Sequence, residues 1–253
     1  MSYHVCLDPG HGVETPGKCA PDKSYYEHEF ALDLARRMKA ILERHGVAVT
    51  LTRTTEKTLT GGATNAESYA RVAVANGIKD LDLFVSLHSN AAAGSGWSSA
   101  RGLLCITSAA GESAGRNKAA RAILRRMEEA GVLVRSNPLI HESGYIVLRE
   151  TAAPAIIVEH GFHTNREDVA LLKSGTYRDK LAVAECKGVL DYLGVAWKDA
   201  PTAVKGERTM TVDEARKVLK AKAGLSDATI EYLWNYRWGD DLLVKLAKAM
   251  EGA

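Results

Sequence analysis

Two histidines and two glutamates stand where chemistry gathers in a layered α/β protein. His11 follows the apolar start in "CLDPGHG", His88 closes the run "DLFVSLH", Glu159 closes "AIIVE", and Glu27 lies just before the first long helical pattern. Strand ends and helix starts present side chains from loops without disturbing a core. Two imidazoles and one carboxylate from separate elements form a common catalytic zinc set that leaves one coordination position open for water. Such a water has its pKa lowered from near 16 to about 7, and a second carboxylate outside the set then accepts and returns its proton. Taken singly, each residue has a plainer reading. A lone histidine at a strand end is more often simply hydrogen-bonded, and a glutamate at a helix entrance favours the positive end of the helix dipole. Glu159 resists the plain reading: it follows four apolar residues, and a carboxylate ending a buried strand needs a partner or a task to offset its desolvation.

The elements that must position these residues alternate along the chain. Val5 to Leu7 reads as a short buried strand that Pro9 ends, because proline offers no ladder amide. Gly10 and Gly12 then permit a turn that presents His11. Phe30, Leu34, Met38, Ile41 and Leu42 recur at helical spacing up to Gly46. "VAVTLTR" alternates as a strand does, and "SYARVAVANG" returns to a helical pattern. "DLFVSLH" and "GLLCIT" are apolar runs suited to strands covered on both faces, and residues 113–130 read as a helix. "YIVL" and "AIIVE" supply two further strands, followed by helices near 167–173 and 177–192. The expected fold is α/β over residues 1–194: a mostly parallel twisted sheet with helices on both faces.

"AWKDAPTAVKGERTM" lacks an apolar period and mixes proline, glycine and charge, so residues 195–209 read as a linker. Residues 210–253 follow as a small all-α domain, opened by a capping box in "TVDE" with Thr211 and Glu214, and broken at Gly224 and Gly239. A unit this short is at the lower edge of what one apolar core can hold, which points to cell-surface binding or self-association. Its aromatic segment "YLWNYRW", with Tyr232, Trp234, Tyr236 and Trp238, suits either stacking on sugars or packing of a small core.

Composition narrows the function classes. The 253 residues are 46% hydrophobic and 25% charged, which fits a folded protein and excludes disorder. Lysine and arginine total 33 against 31 acidic residues, without a dense basic run interleaved with aromatics, so nucleic acid is not an expected partner. The amino terminus shows neither a signal peptide nor a membrane span, so the expectation is synthesis in the cytoplasm, action after release, and no membrane partner. Cys6, Cys19, Cys105 and Cys186 lie far apart without CxxC spacing and read as free thiols.

Four ordered blocks carry a resemblance. "LDPGHG" with His11, "YEHEFALDLARRMKAILERHGVAVTLTR" with Glu27, "RVAVANGIKDLDLFVSLHSNA" with His88, and "PAIIVEHGFHTN" with Glu159 resemble the zinc-dependent N-acetylmuramoyl-L-alanine amidases of the amidase-3 family. The resemblance implies Zn2+ held by His11, Glu27 and His88, with Glu159 as the catalytic glutamate. Counting back from Gly46 puts Glu27 rather than its rival Glu29 on the ligand position. It further implies peptidoglycan as substrate and hydrolysis of the amide between N-acetylmuramic acid and L-alanine, by zinc-activated water with glutamate as general base. An amidase without a secretion signal suits a phage endolysin that lyses its host. The alternatives are a mother-cell amidase of sporulation, or a zinc peptidase acting on stem peptides.

One departure and several neighbours complete the reading. Ala31 stands where the family often has asparagine, which removes a supporting hydrogen bond but no ligand. Asn90, His141, His160 and Asn165 are the candidates for substrate contact. His163 shares the "HGFHTN" block with His160, but its surroundings read as a loop and helix cap rather than a metal site. Arg71 reads as half of a structural ion pair.

Overall fold

The computed structural model describes residues 3–15, 18–62, 65–108, 111, 114–199, 210, 212–234 and 239–251. By contacts the chain divides into two units, Met1–Lys198 and Asp199–Ala253. In the first, six strands form one sheet in the order β2-β1-β3-β6-β4-β5. They are β1 (His4–Pro9), β2 (Ala48–Leu51), β3 (Leu83–Asn90), β4 (Leu103–Thr107), β5 (Val134–His141) and β6 (Ala155–Phe162). All pairings are parallel except β4 with β6, so the sheet is mostly parallel, as the alternating pattern implied.

The two-residue strand period sorts side chains onto two faces. Val5, Leu7, Val85, Leu87, Ile156 and Val158 join one core with helices α1 (Glu27–Arg44), α3 (Gly115–Glu129) and α6 (Gly175–Leu193). Cys6, Phe84, Ile106 and Ile157 join the other with α2 (Asn65–Asn76) and α4 (Ile146–Arg149). On α1, Phe30, Leu34, Met38 and Leu42 recur every fourth residue and are fully buried. Each contributes about 1.5–3 kcal/mol by leaving water. Gly46, at φ +79°, supplies the left-handed residue just past this helix.

Two expectations exchange places. "YIVL" forms no strand: Ile146, Val147 and Leu148 are buried in the short helix α4, which packs on α2. The sixth strand is β5, a segment outside the strands expected from the sequence. Among the described residues it pairs only with β4, at the sheet edge, where Pro138 breaks no central ladder.

Past α5 (Arg166–Lys173) and α6, Val195 and Trp197 pack against the core, and the Lys198 amide donates to His45 Nε2 at 2.9 Å. Residues 200–209 of the expected linker, and Thr211 of the capping box, lie outside the described residues. The second unit holds α7 (Val212–Ala223), α8 (Asp227–Trp234) and α9 (Gly239–Glu251) around Ala215, Leu219, Ile230, Leu243 and Ala247. Residues 235–238 of "YLWNYRW", with the side chains of Tyr232 and Trp234, also lie outside the described residues. Among the described residues no helix is long and apolar enough to cross a membrane.

Candidate metal centre

The loop after β1 takes an unusual path. The left-handed residue in "DPGHG" is His11 itself, at φ +58°, and neither flanking glycine has a positive φ. Holding a side-chain-bearing residue there costs about 1–2 kcal/mol, so the surroundings must impose it. Two arginines do so through backbone carbonyls. Arg71 donates to Pro9 O at 2.6 Å and His11 O at 2.7 Å, and Arg53 donates to Pro9 O and Gly10 O at 2.9 Å each. Arg71 is anchored in turn by Asp8 and Glu67, the structural ion pair expected of it. Gly10 is needed for close approach: a Cβ there would lie 2.3 Å from Cε1 of the His88 ring.

Glu27 begins α1, where the helix dipole favours a carboxylate. Its amide donates to Lys18 O at 3.0 Å, beside a bridge between Cys19 and Tyr26 that fixes the helix start. The side chain is almost completely buried and turned toward both histidines. Glu27 Oε1 lies 2.9 Å from His88 Nδ1 and 3.4 Å from His11 Nε2, and the His11 and His88 rings meet edge to face. Donor atoms of the three residues all fall within 4.8 Å of one another. Two donors on a tetrahedral zinc with bonds near 2.0 Å are separated by about 3.3 Å. The observed spacings bracket that value.

Hydrogen-bond bookkeeping at His88 gives an independent test of fit. Ser86 Oγ donates to Asp8 Oδ2 at 2.6 Å, so its remaining capacity toward His88 Nε2, at 3.1 Å, is as an acceptor. Nε2 therefore carries the proton, and the bare Nδ1 lone pair faces the Glu27 carboxylate. Two acceptors 2.9 Å apart call for a proton or a cation between them. Asp8 is itself buried among Thr52, Arg71 and Ser86; burial would raise its carboxyl, but the Arg71 guanidinium and these hydrogen bonds hold it below the usual range. A chain from Asp8 through Ser86 thus sets the His88 tautomer.

The protonation states suit metal binding. Burial pushes His11 below the ordinary imidazole value, against the pull of Glu27, which favours the neutral ring. Burial alone would raise Glu27, but His11 and His88 beside it hold its carboxyl well below the usual range. A third histidine supports the carboxylate from its far side: His163 Nδ1 lies 3.7 Å from Glu27 Oε2 and 2.9 Å from Ser89 O. Ser89 also accepts from the Tyr25 hydroxyl, and its amide donates to Glu27 Oε1 at 2.9 Å.

Glu159 pairs in register with His88 across β3 and β6, on the same face of the sheet. It is 9% exposed, and its Oε2 has no hydrogen-bond partner among the described residues. Burial, reinforced by the negative charge of Glu27, pushes its carboxyl up to about 8. A cleft of about 660 Å³ opens on this face, lined by His11, His88, Lys18, Arg71, Tyr145 and Ile157 among others.

The structure therefore brings His11, Glu27 and His88 together, with Glu159 beside them. The four substrate-contact candidates have other contacts in this structure. Asn90 bonds the Ala91 amide, and His141 bonds Thr107 at the end of the edge strand β5. Asn165 caps α5 by accepting from the amides of Glu167 and Asp168. His160, one residue past Glu159, points to the opposite face, where its side chain is fully buried against Glu185 and Phe30. Glu29 joins His28 and Glu56 in a separate group. Residues that sequence reasoning passed over are Asp8, Arg53, Ser86 and Ser89, which lie inside the blocks that carry the resemblance, and Tyr25 and Glu185, which lie outside them.

With this geometry in view, the chain can be set beside known proteins. The sequence pattern of the N-acetylmuramoyl-L-alanine amidase family, Amidase_3, matches residues 5–191. The chain belongs to that family, and it is an enzyme of the amidase class. It is 30% identical over 243 residues to an endolysin of Bacillus phage SPP1, covering 95% of this chain and 82% of the endolysin. It is 30% identical over 198 residues to a germination-specific N-acetylmuramoyl-L-alanine amidase of Bacillus subtilis, covering 74% of this chain and 78% of the relative. A crystal structure of an N-acetylmuramoyl-L-alanine amidase from Clostridium difficile 630 superposes with a TM-score of 0.66 at 26% identity, covering 76% of this chain and 97% of that one.

Proposed function

We propose that the chain is a zinc-dependent peptidoglycan hydrolase that cuts the amide between N-acetylmuramic acid and L-alanine. The observation that carries this reading is the convergence of His11, Glu27 and His88 donor atoms beside a buried carboxylate, Glu159, that has no partner for Oε2 among the described residues. His11 Nε2, His88 Nδ1 and Glu27 Oε1 would hold the metal. Bound there, zinc would supply Lewis acidity to the amide carbonyl and acidify a water.

The remaining work falls to the chain's own groups. Glu159 takes a proton from the attacking water as its oxygen bonds to the lactyl carbonyl carbon. It delivers that proton to the alanine nitrogen as the C–N bond breaks, so the products are a lactyl carboxylate and a free L-alanine amine. Burial holds the Glu159 carboxyl above the usual range before a metal is bound, which suits a group that carries a proton from water to nitrogen. Arg71 and Arg53 hold the His11 loop, and the Asp8–Ser86 pair keeps the His88 proton on Nε2.

The role we assign is that of a phage endolysin, released to the wall at lysis. Its support is that the match to the phage endolysin extends over 95% of this chain, against 74% for the germination-specific amidase. In this reading residues 1–194 are catalytic, with Val195, Trp197 and Lys198 packed against them at the start of the 195–209 link, and 210–253 bind the wall or self-associate.

Glu159→Gln tests the mechanism. The variant is expected to retain one zinc per chain by elemental analysis and to lose at least about 100-fold in clearing of wall suspensions. His88→Ala is expected to lose both zinc and activity. Wild-type clearing by purified Glu159→Gln would overturn the assignment.

A further inference from the structure

The peptide bond joining His88 to Ser89 is gripped from both sides. Its N–H, on Ser89, donates to Glu27 Oε1 at 2.9 Å, and its C=O, on His88, lies 3.0 Å from His160 Nδ1. This peptide lies where the β3–β6 register shifts between His88 and Asn90, so the regular ladder is interrupted there. A side chain supplies the donor at that break. His160 Nε2 is in turn 2.8 Å from Glu185 Oε2 on α6, and both side chains are fully buried. Whichever partner carries the shared proton, the Nδ1 hydrogen must point at the His88 carbonyl, because a carbonyl can only accept.

We infer that His160, locked by Glu185, is a positioning residue that orients the His88–Ser89 peptide and thereby aligns His88 and Glu27 for the metal. The inference rests on the proposed zinc site and extends it to a buried pair on the opposite face of the sheet. The strand alternation explains the arrangement: Glu159 lies on the same face of the sheet as His88, and the next residue reaches back under α6 to hold the neighbouring strand. Phe30 packs on the His160 ring at 5.4 Å between centroids and limits its rotation. Glu185 Oε1 has no partner among the described residues, so Glu185 depends on His160 for its pairing. Polar residues that orient metal ligands typically alter metal affinity by about 10–100-fold when removed.

The test is zinc affinity, measured by competition with a chromophoric chelator on the full chain, together with the visible absorption of the Co2+-substituted protein. Glu185→Leu and His160→Leu are expected to weaken zinc at least about tenfold and to alter the cobalt spectrum. His160→Asn, whose amide can donate to the same carbonyl, is expected to stay within about threefold of wild type. Because a single change leaves a buried group unpaired, the double variant His160→Leu with Glu185→Leu is included. It removes both polar groups, keeps the fold, and should still bind zinc at least about tenfold more weakly. Wild-type affinity and spectrum in the double variant would overturn the inference. Absence of zinc binding by the wild-type protein would instead overturn the proposed metal site.

Discussion

Arg71→Met tests whether the site depends on a buried charge network. Arg71 donates to Asp8 Oδ1 at 2.6 Å, Glu67 Oε1 at 2.8 Å, Pro9 O at 2.6 Å and His11 O at 2.7 Å. Methionine keeps much of the apolar stem but deletes all four bonds and leaves Asp8 as a buried charge supported by Thr52 and Ser86 alone. Breaking a buried pair in this way costs about 3–5 kcal/mol. The left-handed His11 also loses a restraint, and zinc affinity should fall at least about tenfold. Urea unfolding followed by tryptophan fluorescence reads the stability, and chelator competition reads the metal.

The pH dependence follows from the sign of the Asp8 shift. In the wild type Asp8 is held below its unfolded value, so its contribution is present above about pH 4 and is lost as pH falls through the folded pKa. In the variant, burial no longer opposed by Arg71 raises the carboxyl, and protonation then relieves the unpaired charge. The stability gap between the two proteins should therefore be larger at pH 7 than at pH 4, shrinking first as pH falls through the variant's raised carboxyl and further, below about pH 4, as it approaches the wild type's lowered one. A loss under about 1 kcal/mol at pH 7, or a gap that does not change with pH, would refute this account of the network.

Two further outcomes are expected. Gly10→Ala should displace the His88 ring, since its Cβ would fall 2.3 Å from Cε1, and should weaken zinc at least about tenfold while leaving far-ultraviolet circular dichroism unchanged. Zinc affinity should decline as pH falls, because zinc must displace protons from its imidazole and carboxylate ligands; an affinity that rises on acidification would contradict the proposed ligands.

The parts of the molecule that sequence reveals share a physical cause. β1, β3 and β6 are central and covered on both faces, so they read as apolar runs whose ends mark His11, His88 and Glu159. Glu27 was singled out over Glu29 through the resemblance, by counting back from Gly46, where the apolar face of α1 ends. The exchange between β5 and α4 was not legible, because a four-residue apolar run carries no period that separates helix from strand, and an edge strand tolerates proline. The supports of the site were hidden for another reason. Ser89 and His163 meet through a hydrogen bond across 74 residues of chain, and His160 meets Glu185 across 25, contacts that no local pattern encodes. Glu159 stands out because it ends an apolar run, whereas the strand alternation that assigns His160 to the opposite face becomes visible only once the strand's extent past Glu159 is known.

The central claim is tested most directly by the chemistry of the cut. Purified peptidoglycan is digested with the enzyme, and newly formed amino termini are identified with and without a chelator. The account predicts new L-alanine amino termini that stop appearing in chelator and return when zinc is restored. Termini of any other residue, or undiminished release of L-alanine termini in chelator, would contradict it.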